Sequence, residues 1–160
     1  MFVLLIIMSL IVAMNSQILV SRGKPTTQTS TFLGLSSELG VDGHYDSFIY
    51  QNGLFKKNCF HTNFENNPSW TVDLKGQHEV NTVVLYNRMD CCSERVVGTV
   101  VEVLSDSNQV LYECGSAKES KGMYIFSCSK NIGSKIRVKN PGWKILHLCE
   151  VDVWGCKYNY

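Results

Sequence analysis

The sequence predicts an all-β fold, a β-sandwich or jelly roll that is cross-linked by disulfides. Short runs rich in Val, Ile, Tyr and Trp recur along the chain, and Gly, Asn, Ser and Pro fill the gaps between them. This is the pattern of strands separated by turns. Seven cysteines in 160 residues, behind an apolar leader, indicate disulfides formed in an oxidising compartment.

The first element is the apolar leader. Residues 2–13 form a nearly unbroken apolar run, which has the length of a signal-peptide core and falls short of the roughly 20 residues that span a bilayer. The first basic side chain is Arg22, so the usual positive segment is missing and a signal anchor is the alternative. We expect a signal peptide over residues 1–16, a secreted, extracellular domain over residues 17–160, and no membrane insertion after cleavage.

Seven runs after this leader predict strands. A polar stretch over residues 21–47, rich in Ser, Thr and Gly, precedes them and lacks the apolar periodicity of a helix. Seven strands at turn-separated intervals favour a sandwich or jelly roll over a barrel with helices. The runs cover residues 70–74, 80–86, 99–104, 110–112, 124–128, 135–139 and 146–154.

The last run combines strand alternation with polar chemistry. Alternation with a period of two places Cys149 on one face and Glu150, together with Asp152, on the other. We therefore expect Cys149 to point inward to a disulfide and Glu150 to point outward. A carboxylate fixed beside a cross-linked cysteine is either a calcium ligand or a solvated strand residue.

Composition and motifs argue against several classes of function. A formal net charge of +1 without a basic cluster argues against nucleic acid or an anionic membrane as the principal partner. The cysteines and histidines lack the spacing of zinc sites. Carboxylates are present, but there is no Gly-x-Ser-x-Gly, Walker loop or zinc-hydrolase helix. We expect the chain not to be an enzyme.

One constellation of polar residues has a defined spacing. Twenty-six residues separate His61 from Arg88. Asp90 follows two positions later, and four residues separate it from Arg95. The first two of these four are cysteines. In order and spacing this constellation resembles the motif of the F-type (fucose-binding) lectin family.

Two flanking blocks also resemble this family. Residues 67–74 read Asn-Pro-Ser-Trp-Thr-Val-Asp-Leu, and residues 148–153 read Leu-Cys-Glu-Val-Asp-Val. The resemblance extends over residues 22–154, nearly the whole chain after the leader. It implies a discoidin-like (galactose-binding-domain-like) sandwich. It also implies a secreted lectin that binds terminal L-fucose on glycans, with a role in innate recognition of glycosylated surfaces.

The resemblance also assigns roles to the polar residues. In the family the equivalents of His61, Arg88 and Arg95 clasp the axial 4-hydroxyl and the ring-oxygen side of fucose. Their chemistry suits this role, because arginines are rigid donors that stay charged and a neutral histidine offers one donor and one acceptor. Asp90, included in the sugar site, either braces an arginine or forms a surface ion pair. Taken singly, such residues are usually packed or paired at the surface, so the interpretation depends on the joint spacing.

The adjacent Cys91 and Cys92 admit two interpretations. Their α-carbons are about 3.8 Å apart across a trans peptide, below the roughly 4.4–6.8 Å of ordinary disulfides, so geometry favours two separate partners. In the resembled family, however, these neighbours form a bridge whose sulfur face packs against the sugar. The family pairings map to Cys59 with Cys149, Cys91 with Cys92, and Cys114 with Cys128. These pairings leave Cys156, which is either free or joins two chains.

The resembled family also carries a structural calcium that pins the loops around the sugar site. An oxygen-only ligand set with two carboxylates suits Ca²⁺, although Asp42-Gly43 is also a common turn sequence. The ligands map to the side chains of Asp42 and Glu150, the backbone carbonyls of Leu39, His44 and Cys149, and Asn58.

Two functions follow from this sequence. The first is binding of fucosylated glycans, and the alternative is a discoidin-like module that binds protein or lipid and no sugar, because such scaffolds host many functions. A single shallow sugar site binds weakly, so useful avidity requires several sites. We therefore expect homo-oligomers, with Cys156 or the aromatic tail over residues 158–160 as candidate contacts.

Overall fold

The computed structural model describes residues 17–159, so the predicted leader and residue 160 lie outside the described residues. The short 3-10 helices are Ser37–Gly40 and Ser93–Val96. The strands are β1 (Ile18–Leu19), β2 (Thr26–Gln28), β3 (Tyr50–Gln51), β4 (Leu54–Phe55), β5 (Phe60–His61), β6 (Glu65–Asn66), β7 (Ser69–Tyr86), β8 (Val100–Leu104), β9 (Val110–Ser116), β10 (Met123–Lys139), β11 (Trp143–Lys144), β12 (His147–Leu148) and β13 (Glu150–Lys157).

Two long strands, β7 and β10, form the framework of the fold. The main sheet has the order β1-β13-β7-β10-β8-β9, and β2 also pairs with β7. The first half of β7 pairs with β2 and with the end of β10, whereas its second half pairs with β13 and with the start of β10. Each long strand thus contributes to both layers of an antiparallel sandwich, and the predicted all-β sandwich is confirmed.

The predicted division into seven strands was wrong at three places. The run over residues 146–154 contains two strands, β12 and β13, which pair with different partners. Residues 75–79 and 129–134 were expected to separate strands, but β7 and β10 continue through them with register shifts in β10. The chain turns locally at residues with positive φ, among them Gly76 at 125°. Gly133 marks a close approach of strands, because a β-carbon there would clash with the Val103 side chain.

Alternate residues of the long strands point into one apolar core. The ring of Phe60 stacks on that of Trp70 with centroids 5.4 Å apart, and the Trp70 indole N–H donates to the Ser37 carbonyl at 2.8 Å. Because Phe60 belongs to β5, this packing anchors the strand that carries His61. The core includes Trp70, Val72, Leu74, Val80, Val83 and Leu85 of β7, Val101 and Val103 of β8, Ile136 and Val138 of β10, and Val151 and Val153 of β13.

The expectation that Glu150 points outward was wrong. Glu150 is fully buried and Asp152 is 3% exposed. Alternation does place them opposite Cys149, but loop residues cover that face as well. The Gly43 N–H donates to Glu150, the Tyr45 hydroxyl donates to Asp152 at 3.0 Å, and Arg22 lies 3.7 Å from both carboxylates.

Three disulfides are present within residues 17–159, and they are the three that the resemblance implies. Cys59–Cys149 joins the chain before β5 to the chain before β13, within a small apolar cluster that includes Leu35 and Ile49. Cys156 is the free cysteine among residues 17–159 and is partly exposed. Over the same residues, no helix is long and apolar enough to cross a membrane.

Candidate functional site

Five separate chain segments line one cavity of about 470 Å³. This volume lies within the range of about 300–1,000 Å³ that is typical of ligand sites. Of the six residues predicted for the sugar site, five line the cavity and Asp90 does not. The lining residues are Phe32, Leu33, Tyr50, His61, Thr62, Asn63, Phe64, Arg88, Cys91, Cys92, Arg95 and Ile145.

The hydrogen bonding of His61 fixes the role of its imidazole ring. Nδ1 lies 2.7 Å from the carbonyl oxygen of Thr62, and a carbonyl can only accept, so Nδ1 carries the proton. The other nitrogen, Nε2, is therefore an acceptor. Burial lowers the pKa of His61 below its ordinary value of 6.5, the Thr62 carbonyl opposes that shift, and the charges of Arg88 and Arg95 add to it. The ring is neutral at neutral pH.

Arg88 is held in place by Asp90. Its Nε and Nη2 donate to the two carboxylate oxygens of Asp90, each at 2.8 Å, and both side chains are 8% exposed. Asp90 also accepts from the backbone N–H groups of Ile49 and Tyr50, both at 3.1 Å. Burial opposes the ionisation of Asp90, but these four bonds outweigh it and hold its pKa at about 2. Asp90 therefore positions Arg88 from outside the cavity.

Arg95 presents its guanidinium with little restraint from the protein. Within residues 17–159 its side chain makes no hydrogen bond or ion pair, although its backbone carbonyl accepts from Asn140 at 2.7 Å. The Asn87 amide donates to the carbonyls of Ser93 and Lys121, which closes the loop that leads to the short helix. The backbone around Arg95 is thus fixed, and its donors are available to a ligand.

The bridge between Cys91 and Cys92 forms one wall of the cavity. Their α-carbons are 3.7 Å apart, the close spacing that made a bridge between them unexpected from geometry alone. Cys92 has a left-handed backbone with φ of 61° and lies immediately before the helix Ser93–Val96. The Arg95 N–H donates to the Cys92 carbonyl at 3.1 Å, and the disulfide adds a polarizable apolar surface to the cavity that Arg95 also lines.

His147 supports His61 from the protein side and was missed by the sequence motif. The two residues are paired across β5 and β12, and their rings meet edge to face at 5.3 Å. His147 is 1% exposed, and neither ring nitrogen has a hydrogen-bond partner within the described residues. Burial lowers its pKa from the ordinary 6.5 to about 3, and the neighbouring His61 ring and the charges of Arg88 and Arg95 add to that shift. The neutral ring acts as packing.

The cavity is chemically suited to a neutral ligand with hydroxyl groups. Two guanidinium groups donate hydrogen bonds, and His61 Nε2 accepts one. A hydroxyl group can bond to both kinds of partner, since it donates one hydrogen bond and accepts others. The Phe32 ring packs on that of His61 with centroids 4.9 Å apart, and together with the disulfide it provides surface for C–H groups.

Comparison with known proteins agrees with this arrangement. Residues 40–138 match the model of a family described as NedA-like, galactose-binding domain. The chain is 35% identical to fucolectin-6 of Anguilla japonica over 119 residues, which cover 71% of this chain and 60% of that protein. It is 32% identical to fucolectin of Anguilla anguilla over 143 residues, which cover 82% of this chain and 87% of that protein.

The chain belongs to the fucolectin family of F-type lectins. A solved structure supports the same assignment: a Streptococcus pneumoniae fucose binding module superposes with a TM-score of 0.78 at 25% identity, covering 86% of this chain and 95% of that chain. The relatives of this F-type lectin are lectins and not enzymes.

The residues predicted to hold calcium in this F-type lectin lie in two neighbouring groups. The Gly43 N–H donates to both oxygens of Glu150, at 3.1 and 3.3 Å, so the loop carrying Asp42 and His44 reaches that carboxylate. Leu39 packs against the cluster that contains the Cys59–Cys149 bridge. Asn58 precedes Cys59 and uses its amide N–H to bond Asp46 and Phe48, which leaves the amide oxygen.

Carboxylates and one guanidinium surround Glu150: Arg22 lies 3.7 Å from it and from Asp152. Burial raises the pKa of Glu150 to about 8, the Gly43 N–H and Arg22 oppose that shift, and the carboxylates of Asp152 and Asp42 add to it. Among the described residues, no group of three or more His, Cys, Asp and Glu side chains is arranged to hold a metal. The predicted set contains two carboxylates, and its other donors are carbonyl and amide oxygens, which are ordinary ligands of Ca²⁺.

Several lining residues of the lectin site were not predicted. Phe32 and Leu33 are adjacent apolar residues within the Ser-, Thr- and Gly-rich stretch over residues 21–47, and this pair is a signal that the sequence offered. Tyr50 is 53% exposed and Phe64 is 64% exposed, and nothing local in the sequence distinguishes them from other aromatic residues. Their place at the cavity depends on how distant segments pair.

Proposed function

We propose that this F-type lectin binds terminal L-fucose on glycans and leaves them chemically unchanged. The observation that carries the proposal is the convergence of His61, Arg88 and Arg95 with a disulfide wall in one cavity. Supporting it, the matched structure at 25% identity is named a fucose binding module, and the relatives at 32% and 35% identity are named fucolectins.

In the proposed complex, one sugar hydroxyl meets all three polar side chains. The axial 4-hydroxyl donates to His61 Nε2 and accepts from the two arginines. Hydrogen bonds to charged groups contribute about 1.5–3 kcal/mol each. The deoxy carbon and the C–H face of the ring lie against Phe32, the sulfur bridge and the neighbouring apolar residues, which a fully hydroxylated sugar would contact less favourably.

Retention on immobilised L-fucose tests this function. The wild-type protein is expected to bind a fucose column in the presence of calcium and to elute with free L-fucose. Arg95→Ala removes donors without disturbing an ion pair, so we expect it to weaken binding about tenfold or more and to flow through. Arg137→Ala, on β10 outside the cavity, is the control and stays bound. Flow-through of the wild type would favour the discoidin-like protein- or lipid-binding module.

We further propose a structural calcium ion held by the predicted set of Leu39, Asp42, His44, Asn58, Cys149 and Glu150. The buried Glu150, with Asp42 on the adjacent loop, supports it. When bound, the ion would neutralise these carboxylates and join the loops beside the site. Calcium is expected to raise the melting temperature of the wild type and of the control Asp73→Asn, but not of Asp42→Asn. An equal rise in all three would contradict the site.

Secretion, assembly and biological role are proposed together with this function. We expect residues 1–16 to be removed on export, which N-terminal sequencing of the secreted protein checks. We expect homo-oligomers, because several weak sites give useful avidity. A role in innate recognition of glycosylated surfaces would then require agglutination of cells bearing fucosylated glycans, and a failure to agglutinate them would contradict that role.

A further inference from the structure

Two exposed aromatic rings lie side by side at the rim of the cavity. The ring centroids of Phe64 and Trp143 are 5.9 Å apart, with an angle of 35° between the ring planes. Phe64 is 64% exposed and Trp143 is 65% exposed. Rings that remain this exposed contribute little to the core, and two of them in contact beside a pocket form an apolar surface that a ligand in the pocket can reach.

Strand pairing and hydrogen bonds hold the backbone beneath this aromatic pair. Trp143 belongs to β11, which pairs with β6. At the end of this pairing the Asn67 N–H donates to the Gly142 carbonyl at 2.7 Å, and the Gly142 N–H donates to the Asn67 side chain at 3.0 Å. Glu65 of β6 accepts a bond from the Thr29 hydroxyl at 2.7 Å. Because this backbone is already fixed, little ordering is needed when a ligand packs on the rings.

Phe64 and Trp143 extend the apolar surface next to the polar clasp, by which we mean His61, Arg88 and Arg95. Phe64 lines the cavity and follows His61 by three residues, which places their α-carbons no more than about 10 Å apart. Trp143 is not among the lining residues, but its ring lies against that of Phe64. When a sugar is bound at His61, the next sugar ring of the glycan is therefore within reach of Phe64.

A second aromatic pair lies at the rim but is less suited to stacking. The rings of Tyr50 and Phe55 are inclined by 60°, against 35° for Phe64 and Trp143. Phe55 is also less exposed, at 41%. A flat ligand ring covers both members of a pair only when their planes are close to parallel, and the indole offers the larger face.

We propose that Phe64 and Trp143 form a second subsite that stacks the sugar to which the terminal fucose is attached. This inference rests on the proposed fucose site. A pyranose ring presents an apolar C–H face that packs on aromatic rings, while its hydroxyls stay in water at this exposed rim. The subsite would make the lectin prefer fucosylated oligosaccharides to free fucose.

Isothermal calorimetry with two ligands tests the subsite. The probes are methyl L-fucoside, which fills only the first site, and an L-fucosyl-galactose disaccharide. We expect Trp143→Ala to bind the fucoside within twofold of the wild type and to bind the disaccharide about threefold to tenfold more weakly. Trp143→Phe keeps a ring and is expected to retain most of the disaccharide affinity. The matched control, Phe55→Ala, leaves both affinities unchanged.

The outcomes separate this inference from the proposed function. If the wild type binds the fucoside but Trp143→Ala loses nothing on the disaccharide, the subsite is wrong and the fucose site stands. The same conclusion follows if Phe55→Ala, rather than Trp143→Ala, loses the disaccharide. If the wild type binds neither ligand, the proposed function fails and the subsite fails with it.

Discussion

At the scale of single residues, the polar groups of the site are oriented by bonds on the side facing the protein. His61 donates to the Thr62 carbonyl, and Arg88 is held by two bonds to Asp90. These bonds leave an acceptor on His61 and further donors on Arg88 toward the cavity. Such prior orientation means that less side-chain freedom is lost when a ligand binds.

As the pH is lowered, sugar binding is expected to persist past pH 6.5 and to be lost only at a lower pH. The neutral ring of His61 is the acceptor, and its pKa lies below 6.5 chiefly because the ring is buried. Acid protonates Nε2 only once the pH falls through that lowered pKa, and the acceptor is then gone. Fucose affinity measured against pH, with calcium in excess, checks this. A loss of affinity centred at or above pH 6.5 would contradict the role given to His61.

Asp90→Asn is expected to lower both stability and fucose affinity. It leaves the Arg88 charge, on a side chain that is 8% exposed, without its partner, and breaking such a buried pair costs about 3–5 kcal/mol. The folded pKa of Asp90 is about 2 against an ordinary 3.8. Its stabilising contribution is therefore complete above pH 3.8 and is lost as the pH falls toward 2.

Urea denaturation of Asp90→Asn beside Glu102→Gln checks this prediction. Glu102 forms a comparable pair with Arg137, but that arginine is 24% exposed and lies outside the cavity. We expect the Glu102 variant to lose no more than about 1 kcal/mol and to keep its affinity for fucose. Equal losses of stability in the two variants would mean that Asp90 has no special part in holding Arg88.

At the scale of elements, the sequence allowed the strands to be found but not their continuity. Val-rich and Ile-rich runs predicted where strands lie, yet glycines and polar residues within β7 and β10 were taken for breaks. They are irregularities inside long strands, such as the one at Gly133, and this depends on the approach of β8. The burial of Glu150 was missed for a similar reason, since its cover comes from a loop about 100 residues earlier in the chain.

The sugar site, like the long strands, was only partly predictable from the sequence, because part of it depends on how distant segments pair. The spacing of His61, Arg88 and Arg95 was sufficient to predict three groups that the structure brings to one cavity. The supporting ring of His147 and the rim pair of Phe64 and Trp143 depend on the pairing of β5 with β12 and of β6 with β11. Two-residue strands of this kind have no recognisable sequence pattern, so these contacts could not be predicted.

The disulfide between Cys59 and Cys149 is expected to matter more than that between Cys114 and Cys128. The first closes a separation of 90 residues and the second one of 14, so loop entropy predicts losses of about 4.6 and 3 kcal/mol when each is removed. Cys59 also lies two residues before His61. We therefore expect the double alanine variant of the first pair to lose fucose binding.

Urea denaturation and calorimetry on the two double variants check this prediction. The variant lacking Cys114–Cys128 is the matched control, because that bridge joins β9 to β10 and does not line the cavity. It is expected to keep its affinity under conditions where it remains folded. If the variant lacking Cys59–Cys149 binds fucose with unchanged affinity, that bridge has no part in placing β5.

At the scale of the whole molecule, residues 17–159 bring His61, Arg88 and Arg95 together in one cavity. A dissociation constant near 1 mM corresponds to only about 4 kcal/mol, so a single clasp would hold a glycan surface weakly. Light scattering at micromolar concentration is expected to give a multiple of the single-chain mass. Comparison with Cys156→Ser shows whether the free cysteine joins the chains, and a single-chain mass for the wild type would contradict the proposed assembly.

An NMR titration of the labelled protein with L-fucose tests whether the sugar binds in the cavity lined by His61, Arg88 and Arg95. With calcium present, the amide resonances that shift are predicted to belong to residues around His61, Cys91, Cys92 and Arg95, and D-fucose is predicted to leave them unchanged. Binding in this cavity would be contradicted if L-fucose caused no shifts, or if the shifts appeared elsewhere, such as around Lys135 and Arg137 on β10.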